Sequence, residues 1–301
     1  MEKVDRSAEK ALLLEIKRKN SITFITEFQR DHRGWMQRLA NAYKERGRFG
    51  IHLFSIADHY SDMEDKEVAL FASLMLAEND SLLLQQQELY NIIGDSPYKN
   101  FLCNRRFVEL SRGDSQKKLI PKSWTQYHEI SNIFSIIYDI CAEFGCMEAY
   151  IHDYLKNHPY TDPFMALADV FKYAKVTKRK YKLNLLLLIL AGTDGMGMGK
   201  WHFDGYKLLC PEGKEIIEFL ELWFPDFWEC GLTFDKAVEA MGLQEPTDLY
   251  YAYRGFEALK KVNAVEVRQY CRRYSKHYNN RKSSRLYELK NIQPKIFFEI
   301  K

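Results

Sequence analysis

KYKLNLLLLILAGTDGMGMGKW, residues 180–201, decides how this chain is read. A basic lead-in runs into an apolar segment of helical length and breaks at a turn with glycines at 192, 195, 197 and 199. Glycine clusters of this density stand where backbone approaches something closely or takes a positive φ. Lys178, Arg179, Lys180 and Lys182 lie before the turn, and Lys200 and His202 after it. A turn between helices, ringed by cations, presents backbone N–H groups suited to a phosphate. Gly195, Gly197, Gly199 and Lys200 are therefore the first candidate nucleic-acid-binding residues. A nucleoside-triphosphate loop is excluded: it needs Ser or Thr after the lysine and a strand before the first glycine, whereas Trp201 follows Lys200 and a helix precedes Gly192.

Outward from this turn, apolar residues recur at helical spacing and no run alternates in the manner of a strand. The expectation is an all-α fold. Helices are expected over Ser7–Lys19, within Ser21–Arg46 (with Phe24, Phe28, Trp35 and Leu39 on one side), and over Phe49–Tyr60. Asp62 and Glu64 head another through Glu78, with Val68, Phe71, Ala72 and Met75 as its apolar stripe. Asp80 or Ser81 caps a helix to Gly94 that stops at Asp95-Ser96-Pro97, and Ser123 caps one to Glu143. Further helices are expected at Glu212–Trp223, Thr233–Met241, Thr247–Val262 and Ala264–Tyr278, with an apolar end at Ile296–Ile300. The acids Glu64, Asp65 and Glu67 are read as favouring a helix N-terminus through its dipole. Gly113–Pro121 reads as a loop, and the stretch Ser111–Ser123 around it is expected to separate two helical lobes of one domain, about 1–112 and 123–301.

With 301 residues, 46% hydrophobic and 14% aromatic, the chain can bury a large core. The opening MEKVDRSAEK has no signal-peptide core and Leu185–Ala191 is too short to span a bilayer, so a cytoplasmic protein without membrane association is expected. Six dispersed cysteines form no C-x-x-C pair, and no histidine pair completes a site; neither a metal nor a cofactor is expected. The net charge of +3 is unevenly spread: from Lys260 to Lys301 twelve Lys and Arg face three acids, a balance of +9 that leaves the rest at −6. Such polarity implies an anionic partner. In this tail Arg268, Arg272 and Lys276 share one helical face, Arg273 lies beside them, and Tyr270, Tyr274 and Tyr278 share another. Cations there suit phosphates, while tyrosines stack on bases or pack on the core. DNA is the expected partner, and a protein partner is the alternative.

Three blocks together give a resemblance. Asp65–Ala77 (DKEVALFASLMLA), preceded by His59-Tyr60 and followed by Gly94-Asp95-Ser96-Pro97-Tyr98, is the first. Lys182-Leu183-Asn184 with Asp194-Gly195, Gly199 and Trp201 is the second; Glu245-Pro246 with Tyr250-Tyr251-Ala252-Tyr253 is the third. In order and spacing they resemble a family of bacterial proteins of unassigned function that is similar to the helix-hairpin-helix DNA glycosylases. The likeness spans Phe54 to Leu259. It implies two helical lobes around a cleft, and a protein that binds DNA and recognises or processes a base, a modified base included.

Base excision calls for a carboxylate against the developing cationic sugar and, in bifunctional enzymes, a lysine nucleophile. The resemblance puts a basic residue at Lys182, as nucleophile or anion binder. The family's proline is kept as Pro211, but Gly213 stands near its Asp and Glu215 near its His, and Leu188 and Gly192 replace arginines. Glu212 and Glu215, one helical step away, are the candidate carboxylates. The missing Asp also leaves open a degenerate relative that only binds nucleic acid or protein, and, more remotely, a transferase acting on modified thymine in DNA.

Overall fold

A computed structural model of the chain describes residues 34–45, 47, 56–76, 82–110, 130–174, 179–224 and 233–262. Among the described residues it is predominantly helical, with no strand. They fall into two compact units, one within Met1–Gly47 and Glu212–Lys301, the other within Arg48–Pro211.

In the first unit, α1 (Trp35–Glu45) lies along the C-terminal helix of the described chain. Two further helices follow in sequence in the C-terminal segment, Lys214–Trp223 and Phe234–Ala240; the long Pro246–Val262 helix closes the unit. Close approach is set at Gly255, where a Cβ would come within 2.9 Å of Leu39 Cγ and of the Leu39 carbonyl oxygen. Around it Trp35, Phe219, Trp223 and Phe256 form an aromatic core, with Trp35 and Trp223 rings 6.0 Å apart. Asp248, buried in the first turn of the Pro246 helix, accepts from the Glu245 amide (3.1 Å) and from Gln37 Nε2 (3.0 Å), and pairs with Lys44. Its return bond to the residue before Pro246 is one half of a capping box. The helix expected over Thr247–Val262 is thus present, starting at Pro246.

In the second unit, a 3-10 turn (Ala57–His59) leads to α2 (Met63–Leu76), then α3 (Leu82–Ile93), a π-helical turn (Pro97–Leu102), α4 (Arg106–Leu110), α5 (Ile130–Phe144), α6 (Met147–Asn157), α7 (Pro163–Val170) and α8 (Arg179–Ala191). The helices after it, in the first unit, are α9 (Lys214–Trp223), α10 (Phe234–Ala240) and α11 (Pro246–Val262). Val68 to Ala72, Leu74 and Met75 are all buried, so α2 is enclosed on every side and forms the unit's centre. It packs against α3, α5, α8, the 3-10 turn and the π-helical turn. Helix starts follow capping chemistry: Asp162 Oδ1 accepts from the Met165 amide (2.8 Å) ahead of Pro163, and Cys146 Sγ from that of Ala149.

Some elements differ from expectation. Of Phe49–Tyr60, the described part is a single 3-10 turn, because Tyr60 leaves it in extended backbone. The helix expected to stop at Asp95-Ser96-Pro97 does end at Ile93, but Pro97 then starts a π-helical turn, in which the Cys103 amide donates to the Tyr98 carbonyl (2.9 Å). The helix expected from Glu212 starts at Lys214, with Gly213 as its N-cap. Outside the described residues lie Ser7–Lys19, Phe24, Phe28, Asp80, Ser81, Gly113–Pro121, Ser123, Ala264–Tyr278 and Ile296–Ile300.

Candidate functional site

The glycine turn is first a cap on its own helix. Past Ala191 the chain doubles back, and four successive amides donate to the end of α8: Met198 to the Ile189 carbonyl (2.7 Å), Gly199 to Gly192 (2.8 Å), Lys200 and Trp201 both to Leu190 (2.8 and 2.9 Å). The Gly197 amide closes the inner turn on Asp194 (2.8 Å). Two glycines explain the cluster: a Cβ on Gly197 would lie 2.0 Å from the Gly192 carbonyl oxygen, so backbone here rests on backbone. The orphan carbonyls at a helix C-terminus need donors, and this turn supplies them. The amides of Gly199 and Lys200 are therefore engaged at the end of the helix, the negative end of its dipole, and that of Gly197 within the turn itself. What the turn offers outward is the Lys200 side chain and the residues that follow.

Lys200 reaches Glu67. Its ammonium is bonded to Glu67 Oε2, which also accepts from Trp201 Nε1 at 3.3 Å. Glu67 sits near the start of α2, only 6% exposed. Burial pushes its carboxyl above the ordinary range, the charge and hydrogen bond of Lys200 and the Trp201 indole pull it down, and Glu148 pushes it up again. Trp201 is packed between Phe71 and Phe203, with centroids at 5.8 and 6.0 Å. On the solvent side, Glu148 Oε1 accepts from the His202 amide at 2.7 Å, with His202 Nδ1 at 3.8 Å and His152 Nε2 at 3.9 Å. The His152 ring lies 5.3 Å from Phe203. Nearby, burial first and then Glu67 raise the Cys141 thiol to about 12, so it stays protonated and is no nucleophile.

Tyr98 and Lys182, from the first two blocks, are also bonded to α2. Asp65 Oδ1 accepts from the Tyr98 amide at 2.8 Å, which ties the acidic start of α2 to the Ser-Pro-Tyr turn. Its carboxyl is raised by burial, against the lowering effect of that bond. Tyr60 Oη donates to the Gly94 carbonyl at 2.9 Å, closing the same corner. At the far end of α2, Lys182 Nζ donates to the Met75 carbonyl at 2.9 Å. Segments far apart in sequence are thus bonded to one helix.

The predicted residues fare differently. Lys182 is 4% exposed, an interior link between α8 and α2. Its neighbour Asn184 is 2% exposed, and its side-chain amide has no hydrogen-bond partner among the described residues. Glu212 and Glu215 belong to the other unit, beside the Gly213 N-cap and in the first turn of α9, where a carboxylate complements the helix dipole. Arg268, Arg272, Arg273 and Lys276 lie outside the described residues. Among the described residues no three His, Cys, Asp or Glu side chains are grouped to hold a metal, and no helix is long and apolar enough to cross a membrane.

Glu67, read from sequence with Glu64 and Asp65 as an acid of the helix N-terminus, is instead buried against Lys200. A signal was present: it stands four residues before Phe71 and eight before Met75, on the stripe that the same reading assigned to the core. An acid on an apolar stripe calls for a partner, and Lys200 is that partner.

Comparison with known proteins finds no family model, curated protein or solved structure that matches this chain.

Proposed function

We propose that this protein binds DNA and recognises or processes a base, a modified base included, in the manner of the glycosylase-like proteins its sequence blocks resemble. The observation that carries the reading is the convergence on α2: Tyr60, Asp65, Gly94 and Tyr98 at one end, Glu67 with Lys200 and Trp201 beside them, Lys182 at the other. Residues quoted for the resemblance on sequence order alone are joined by direct hydrogen bonds. The basic tail from Lys260 supplies the phosphate-binding charge in this reading.

A second reading, a binding module without turnover, draws on Lys182. Its ammonium is held in the interior by a main-chain carbonyl, which suits a structural link better than a nucleophile.

The test is binding of the full chain to short duplex and single-stranded DNA over a salt series, against an Arg272→Ala/Arg273→Ala variant. Removing two phosphate contacts from a duplex complex reduces the magnitude of the log–log salt slope by about 1.8. No binding at low salt eliminates the nucleic-acid reading and leaves a protein partner as the better one.

A further inference from the structure

We infer that the exposed cations of the π-helical turn and the start of α4, Lys99, Arg105 and Arg106, form a phosphate-binding face for the backbone of duplex DNA. The inference rests on the DNA reading above and gives that partner a contact in addition to the glycine turn and the basic tail.

Three observations carry it. The first is charge. From Lys99 to Lys122 seven Lys and Arg stand against two acids, a balance of +5 within the 259 residues whose total is −6. Lys99, Arg105 and Arg106 are all exposed, and among the described residues none of them pairs with a carboxylate. Cations gathered on one turn without acids of their own suit a polyanion. The second is the platform beneath them. Phe101, Phe107 and Phe134 are buried under the turn, with Phe101 at 4.7 Å from Phe134 and 6.4 Å from Phe107 between centroids. α4 also packs on both α5 and the π-helical turn. Residues 103–106, all exposed, are thus held between buried anchors, Phe101 and Leu102 on one side and Phe107 on the other.

The third is Arg105 itself. Among the described residues it is the one non-glycine position with a positive φ, 53°. Side chains rarely adopt this conformation and glycine fills it without strain, so an arginine kept there asks for a use. Its guanidinium lies over the Tyr138 ring of α5, 4.8 Å from the centroid. A ring under one face fixes the plane of the guanidinium and leaves its edge N–H groups to donate, the arrangement that suits two parallel bonds to a phosphate. Contacts of this kind set the register of a duplex on the protein and carry no base information, so the face positions DNA while recognition of a base falls elsewhere.

The test is binding of the full chain to a short duplex over a salt series, with the native protein set against Lys99→Gln/Arg105→Gln/Arg106→Gln. Loss of three phosphate contacts should reduce the magnitude of the log–log salt slope by about 2.7, with helical content by circular dichroism unchanged. Lys236→Gln, which removes an exposed cation of the first unit, should keep the native slope and so separates contact from net charge. If the triple variant does not fold, Lys99→Gln/Arg106→Gln, which leaves Arg105 on its ring, decides, with an expected reduction of about 1.8. A slope that these variants share with the native chain overturns the inference and turns the face toward an acidic protein partner. A Lys236→Gln protein that loses as much slope per charge overturns it as well. A native chain that binds no duplex at low salt removes the DNA reading itself, an outcome distinct from an unchanged slope.

Discussion

Lys200→Met removes the counter-ion of Glu67 and keeps the bulk of the side chain. The cost can be worked from the site. Glu67 is 6% exposed and would keep only the Trp201 indole as donor. A buried carboxylate left in this way takes up a proton, so the penalty is capped by the free energy of protonating an ordinary glutamate at the working pH. From the ordinary value of 4.5, protonation at pH 7 costs about 3.4 kcal/mol at 1.36 kcal/mol per pH unit, and at pH 5 about 0.7 kcal/mol. The cap lies within the range of about 3–5 kcal/mol seen when one partner of a buried pair is deleted. The sign is fixed by the direction of the shift. Burial holds the folded-state pKa of Glu67 above its unfolded value, so its stabilising contribution is present at low pH and fades as pH rises through the folded value. Removing Lys200 raises that value further and deepens the loss at neutral pH. Urea unfolding followed by circular dichroism should therefore show the variant about 3 kcal/mol less stable than the native chain at pH 7, and within about 1 kcal/mol at pH 5. Adding Glu67→Gln to it should recover most of the loss. A penalty that is the same at both pH values would refute this account of the pair.

Gly197→Ala forces a methyl to within 2.0 Å of the Gly192 carbonyl oxygen, which only backbone movement can relieve. A loss of about 3 kcal/mol or more in the same unfolding assay is expected, from overpacking and from strained hydrogen bonds at the end of α8. Asn184→Leu replaces a buried amide that has no partner among the described residues, and should raise stability by about 1–3 kcal/mol. A destabilised variant would instead reveal a water or ligand bonded to that amide. With a thiol at about 12, Cys141 should resist alkylation at pH 8 under native conditions, as followed by mass spectrometry of the labelled peptides.

Much of the helical plan was legible because its signals are local. Pro246 with Asp248 and Thr233 at the start of α10 mark helix starts by chemistry contained in four residues. By contrast, α6 and α7 are not among the expected helices: Pro163 reads as a break, although Asp162 caps the helix there. The glycine turn was legible as a place of close approach, but not what approaches. The fold-back of the turn rests Gly197 on Gly192, a contact that spacing alone does not name. Lys182 shows the limit for charged residues. Its type argues for solvent, and its burial depends on a carbonyl 107 residues away. Glu67 lies 133 residues from Lys200, so neither partner of the pair is visible from its own neighbourhood. The π-helical turn after Pro97 has the same origin, since the Tyr98 amide is claimed by Asp65 on another helix.

The most direct test of the central claim is photochemical crosslinking of the full chain to a short duplex containing 5-iodouracil, with the crosslinked residues mapped by mass spectrometry. Binding of DNA at the turn predicts crosslinks to the accessible rings beside Lys200: His202, Phe203 or His152. Crosslinks that leave residues 192–203 and His152 untouched would contradict it.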